Sequence, residues 1–142
     1  MSAKDTDELV NELKKSKNIA KFLEENQSEM VSRTLPEYLA KLLESKGLSQ
    51  NEVIKASGLD ASYACHIFSG ERKTTRPKLL AIAIAMKLTL DETEHLLNYA
   101  GLTRLYARIP WDSIIIHAVS HNKTVIETNM LLEDFGENPF LE

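Results

Sequence analysis

Residues 49–73 read SQNEVIKASGLDASYACHIFSGERK, and two helices with the bend between them are legible in that one stretch. Ser49-Gln50-Asn51-Glu52 is a capping box: the hydroxyl accepts from the third amide of a helix, and the carboxylate reaches back to the capping residue's own N–H. Gly58 ends the helix so opened, because a left-handed closing residue is tolerated best where no Cβ is present. Asp60 caps a second helix that runs to about Phe68 and is stopped by Ser69-Gly70. Ile54 and Ile67 are placed to lock the pair together, and Ala64 is small where the two helices must approach. A pair of short helices with a glycine at the bend makes a helix-turn-helix unit, whose inward set is Ile54, Gly58, Ala64 and Ile67.

Charge is unevenly distributed around this unit. The whole chain carries a net charge of -4, from 17 basic and 21 acidic residues. Residues 46–78 hold six basic side chains against three acidic ones, whereas residues 79–142 hold four against nine. The field near one surface, not the total, decides whether a polyanion binds. Most of the cations lie in Gly70-Glu71-Arg72-Lys73-Thr74-Thr75-Arg76-Pro77-Lys78, directly behind the second helix. Cations and hydroxyls in such a loop neutralise and hydrogen-bond phosphate oxygens without reading bases. Arg72, Lys73, Thr75, Arg76 and Lys78 are therefore candidate phosphate contacts, joined by Gln50 in the first turn of the leading helix. Lys46 and Lys55 extend the same footprint. The plainer account of the loop is a solvated charge cluster.

Working outward, almost every segment of the 142 residues reads as helix, with no sustained period-two alternation and no Asn-Gly or Asp-Gly turn. Asp7 to Glu25 is expected to be one amphipathic helix whose seam, Leu9, Leu13, Ala20 and Leu23, docks on the protein's own body or serves as a candidate dimer contact. Thr34-Leu35-Pro36-Glu37 opens a helix that ends near Gly47, and Thr75 or Arg76 opens another with Pro77 in its first turn. Thr89 to Glu92 is a further capping box, and its helix stops at Gly101. At an offset of 35, Thr89, Glu92, Thr93, Leu96, Leu97 and Gly101 recur as Thr124, Glu127, Thr128, Leu131, Leu132 and Gly136. That recurrence predicts two helical hairpins, roughly 76–101 and 111–136, the second packed on the first.

The segment from Ser49 to Lys73 resembles the helix-turn-helix of the XRE, or lambda-repressor-like, DNA-binding family. Gln50, Gly58, Ala64 and Ile67 stand in that family's register, and Ile54 stands where a smaller alanine is usual. The resemblance covers about residues 34–101 and implies a five-helix domain. With the flanking segments, the expectation is an all-α chain divided into 1–33 (N-terminal helix and connection), 34–101 (helix-turn-helix domain) and 102–142 (a C-terminal hairpin on the same core). The resemblance implies that Asp60–Phe68 is the recognition helix, with Ala61, Ser62, Tyr63, His66 and Ser69 turned to bases or groove. None of these is an Arg, Asn or Gln able to pair bidentately with a purine edge, so specificity is expected to be modest or to lean on DNA shape. The implied function is sequence-specific regulation of transcription on double-stranded DNA, most simply repression. One recognition helix per chain further implies a homodimer. The alternative is a helix-turn-helix-derived protein-interaction adaptor, favoured by the weak readers and the acidic remainder, and the C-terminal hairpin is a candidate protein contact.

Other chemistries find little support. One Cys excludes an internal disulfide, and the apolar run Leu79–Met86 is too short for a membrane span. The start, MSAKDTDELVNEL, has no signal-peptide apolar stretch, giving the expectation of a cytoplasmic protein. Cys65-His66 and the pair His117/His121 do not supply the three or four convergent ligands that zinc needs, so no metal is expected. No phosphate-cradling glycine loop, nucleophile elbow or His-Glu-x-x-His is present, and neither an enzyme nor a cofactor is expected. Trp111, Tyr99, Tyr106, Phe135 and Phe140 are expected to pack in the body.

Overall fold

A computed structural model of the chain describes residues 5–26 and 34–140. Contacts divide the chain into two units, Met1–Ser32 and Arg33–Glu142.

The first unit holds α1 (Thr6–Lys15) and α2 (Ile19–Glu25). The continuous helix expected from Asp7 to Glu25 is thus broken at Ser16–Asn18. The cause is local: Asn18 Oδ1 accepts from Lys21 N at 3.2 Å and caps α2. Ser16 Oγ accepts from Asn18 N at 3.3 Å, so short polar side chains draw the backbone out of the helical pattern. The break disrupts the seam's register. Leu13 and Leu23 are 44% and 48% exposed, Ala20 is exposed, and Leu9 is half-buried.

The second unit begins with α3 (Leu35–Lys46), α4 (Gln50–Ser57), α5 (Ala61–Ser69), α6 (Arg76–Ala85) and α7 (Leu90–Tyr99). Each of the first three ends in a left-handed glycine: Gly47, Gly58 and Gly70. Thr34, Ser49 and Asp60 cap their starts through side-chain oxygens. Helix α6 is the centre of the body. Every residue from Leu79 to Ile84 is buried, as its nearly continuous apolar sequence requires, with α4, α7 and the helix Val125–Asp134 packed around it. Burying each leucine or isoleucine there contributes roughly 2 kcal/mol.

The hairpin α8 (Pro110–Ser120) and α9 (Val125–Asp134) follows, and Ile115, Ala118, Val119, Val125 and Leu132 join the same apolar cluster as Leu39, Val53, Ile67 and Leu80. It repeats α6–α7 in detail. Lys87 (φ 56°) and Asn122 (φ 53°), 35 residues apart, are the two left-handed non-glycine residues among those described, and each sits at a hairpin bend. Beyond each bend comes a capping box, Thr89/Glu92 and then Thr124/Glu127. Buried Thr93 and Thr128 donate back to the carbonyls of Thr89 and Thr124 at 2.8 and 2.7 Å.

Two aromatic expectations fail. Tyr106 and Phe135 are 54% and 70% exposed, because they fall in the α7–α8 connection and at the C-cap of α9 rather than on an inward helix face. Tyr99 does pack, stacked on Tyr38 at 4.5 Å between centroids. Among the described residues, no helix is long and apolar enough to cross a membrane.

Candidate nucleic-acid interface

The bend between α4 and α5 is held by buried Ser57, whose Oγ donates to Ile54 O at 2.7 Å and accepts from Leu59 N at 3.2 Å. Gly58 follows in the left-handed region at φ 74°. Ile54, Ala64 and Ile67 are all buried, so the larger Ile54 is accommodated in the core. With Ala64, Ile67 and Phe68 turned inward, α5 leaves Ala61, Ser62, Cys65 and Ser69 exposed, with His66 half-buried between them. The spacing is that of one helix face. Cys65 also lies on this open stripe. Its Sγ is 3.8 Å from Gln50 Nε2, a contact that ties the first turn of α4 to the middle of α5. The Ser69 hydroxyl donates to His66 O at 3.2 Å, and His66 Nε2 stands 3.7 Å from the Glu71 carboxylate.

The basic loop divides into free and committed cations. Arg72 and Lys73 are exposed, with no carboxylate at ion-pair distance among the described residues. Thr75 is exposed and its side chain makes no capping hydrogen bond to α6. Lys78 is half-buried, its Nζ 4.2 Å from the centre of the Tyr63 ring, and Arg72 Cζ lies 5.5 Å from the same centre. Tyr63 is therefore a half-buried ring beneath two cations.

Arg76 differs from the sequence expectation. Its guanidinium donates to both carboxylate oxygens of Asp112, at 2.9 and 2.7 Å, and to the carbonyls of Thr103 and Arg104 at 2.8 and 3.0 Å. A guanidinium so engaged has its donors turned inward and is withdrawn from phosphate. Burial alone would raise the Asp112 carboxyl, but the hydrogen bonds and charge of Arg76, with the Tyr106 amide, hold it below its ordinary value. Lys46 is similarly committed, 3.0 Å from Glu92. No sequence signal pointed to Asp112, which reads only as a first-turn acid of α8.

Beside this surface lies the C-terminal tail. Trp111 Nε1 donates to Asn138 O at 2.7 Å, and Phe140 N donates to Asn129 Oδ1 at 2.8 Å. The buried Phe140 ring meets Trp111 edge-on at 5.6 Å. His117 and His121 do face each other, 4.3 Å between ring centres, yet no group of three metal-ligating side chains exists among the described residues.

An interior-facing α4–α5 pair, a solvent-facing stripe on α5 and unmatched cations after it define a helix-turn-helix module. Residues 39–92, from within α3 to the first turn of α7, match a helix-turn-helix family model (HTH_3), and that stretch is similar to XRE/lambda-repressor-like domains. The match supports a DNA-binding regulatory role in general. Comparison with curated proteins and with solved structures returns no match.

Proposed function

We propose that the protein is a cytoplasmic, sequence-specific transcriptional regulator that binds duplex DNA as a homodimer and represses by occupying its operator. The observation that supports this most is the adjacency of the exposed α5 stripe to the unpaired cations Arg72 and Lys73. In this reading residues 34–101 bind DNA, 102–142 buttress that domain and offer a protein contact, and 1–33 form an arm. Ala61, Ser62, His66 and Ser69 face the major groove with the edge of Tyr63, and Gln50, Arg72, Lys73, Thr75 and Lys78 contact phosphates. The readers are short and neutral, so base discrimination is shallow and DNA deformability carries part of it. Leu9 and Leu13 on α1, with Ala20 and Leu23 on α2, offer the candidate dimer contacts.

The test is a fluorescence-anisotropy titration of the full chain against fragments from upstream of its own gene, repeated across salt concentrations. Saturable binding to one fragment, at least tenfold tighter than to the others and falling steeply with salt, is the expected result. Equal weak binding to every fragment at low salt only would overturn it. That outcome favours the adaptor reading, to which the exposed Ile126, Met130 and Phe135 of the C-terminal hairpin lend weight.

A further inference from the structure

A cleft of about 930 Å³ lies between α5 with its basic loop and the C-terminal tail. One wall carries Tyr63, Arg72 and Lys78, and the facing wall is Asn138, Pro139 and Phe140. The tail wall is fixed without help from any ligand, by the Trp111–Asn138 and Phe140–Asn129 hydrogen bonds. The cleft is thus preformed, and a ligand entering it does not have to order its walls.

Its electrostatics are unbalanced. Among the described residues Asp60 is the single acidic one lining it, and that carboxylate already accepts from Tyr63 N at 3.0 Å. Arg72 and Lys78 share one tyrosine ring and have no carboxylate partner among the described residues. A ring quadrupole attracts a cation without neutralising it. The remaining positive charge sits next to apolar surface from Pro77, Pro139 and Phe140. Convergent cations against an apolar wall match a ligand with an anionic head and an apolar body.

We propose that this cleft binds a small organic anion, and that the anion and DNA exclude one another. The exclusion rests on the DNA reading above, since Arg72 and Lys78 serve phosphates there; the binding itself does not. A duplex that engages the two cations removes them from the cleft, and an anion seated in the cleft removes them from the duplex. By linkage each weakens the other's affinity by the same factor.

Phenyl phosphate is the probe, followed through backbone amide shifts of the full chain, with inorganic phosphate and phenol as its separated halves. Saturable shifts at Tyr63, Arg72, Lys78 and Phe140 are expected, with phenyl phosphate at least tenfold tighter than either half. Arg72→Gln, an exposed change that leaves the core intact, and Lys78→Met, which keeps the stem over Tyr63, should each weaken binding at least fivefold. Equal affinity for inorganic and phenyl phosphate would reduce the site to a solvated phosphate seat and overturn the proposal. So would shifts centred on Ile126 and Met130, or binding indifferent to both substitutions. In the anisotropy assay, saturating phenyl phosphate should raise the apparent Kd for DNA at least fivefold. An unchanged Kd overturns the exclusion, and a protein that binds no DNA at all still leaves the amide titration to decide the site.

Discussion

Arg76 and Asp112 stand 36 residues apart and are joined by a bidentate ion pair, with Nη2–Oδ2 at 2.7 Å and the Asp112 side chain only 2% exposed. Through it the first residue of α6 grips the first turn of α8, and the same guanidinium lies 5.8 Å from the Trp111 ring centre. Removing one partner of such a buried pair strands the other. Asp112→Ala is expected to lower stability by about 3 kcal/mol, because it also frees the Tyr106 amide. Arg76→Ala should cost at least as much, since it leaves the buried carboxylate without its counter-charge, and the double variant little more than either single one. Urea unfolding of the four proteins checks this: a coupling energy under about 0.5 kcal/mol would mean the pair is mere proximity.

The same carboxylate sets an acid limit. Burial opposes ionisation of Asp112 and Glu92, but the Arg76 contacts in one case, and the Thr89 backbone and Lys46 in the other, leave both below their ordinary values of 3.8 and 4.5. A carboxyl lowered on folding adds stability that is complete above its unfolded pKa and is lost as pH falls through the folded one. Melting temperature should therefore hold from pH 7 to about 5 and drop below about 4. Asp112→Asn should be destabilised at pH 7, and its gap to the wild type should narrow as pH falls below about 4. A constant gap across that range would assign its cost to packing instead.

Free and committed cations should separate in the salt dependence of DNA binding. Arg72→Ala and Lys73→Ala are each expected to lower the slope of log K against log salt by about 1. Lys46→Ala should leave it unchanged, since that ammonium already sits on Glu92. Equal slopes for all three variants would mean that phosphates are met elsewhere.

What could be read in the sequence was local. Capping boxes at Ser49, Thr89 and Thr124 span four residues each, so their chemistry is complete within a short window, and the terminating glycines stand where they act. The buried Ile54, Ala64 and Ile67 follow from the same spacing. The break at Ser16–Asn18 was hidden because apolar spacing continues across it from Leu13 to Ala20. Arg76 looked like its neighbours in the loop, and only folding brings Asp112 to it. The tail was opaque for the same reason: nothing local foretells that Phe140 turns back onto Trp111 beside Tyr63.

Two glycines separate backbone strain from steric contact. Gly70 and Gly101 have φ of 83° and 70°, both in the left-handed region. A Cβ on Gly101 meets nothing within 4 Å, whereas one on Gly70 would stand 2.8 Å from Pro36 Cγ, in a ring that cannot rotate aside. Gly101→Ala should cost about 1 kcal/mol, the left-handed penalty alone. Gly70→Ala should cost about 2 kcal/mol, since α5 must also shift against α3. Denaturation midpoints that coincide would show that the Pro36 contact yields freely.

The two left-handed residues of the repeat offer the complementary experiment. Lys87 and Asn122 occupy equivalent bends, but Lys87 also reaches across, its Nζ donating to the carbonyls of Asn122 and Lys123 at 2.9 and 3.3 Å. The cation therefore ties the bend of the first hairpin to the turn between α8 and α9. Asn122 takes part through its backbone oxygen, which any residue supplies. Asn122→Gly should then be stabilising or neutral, because it relieves the left-handed penalty and keeps the bridge. Lys87→Gly gains the same relief and loses the bridge, and is expected to fall below Asn122→Gly by about 1 kcal/mol. Equal thermal stability in the two variants would show that the bridge between the hairpins contributes nothing, and that α8–α9 is held to α6–α7 by its apolar face and Asp112 alone.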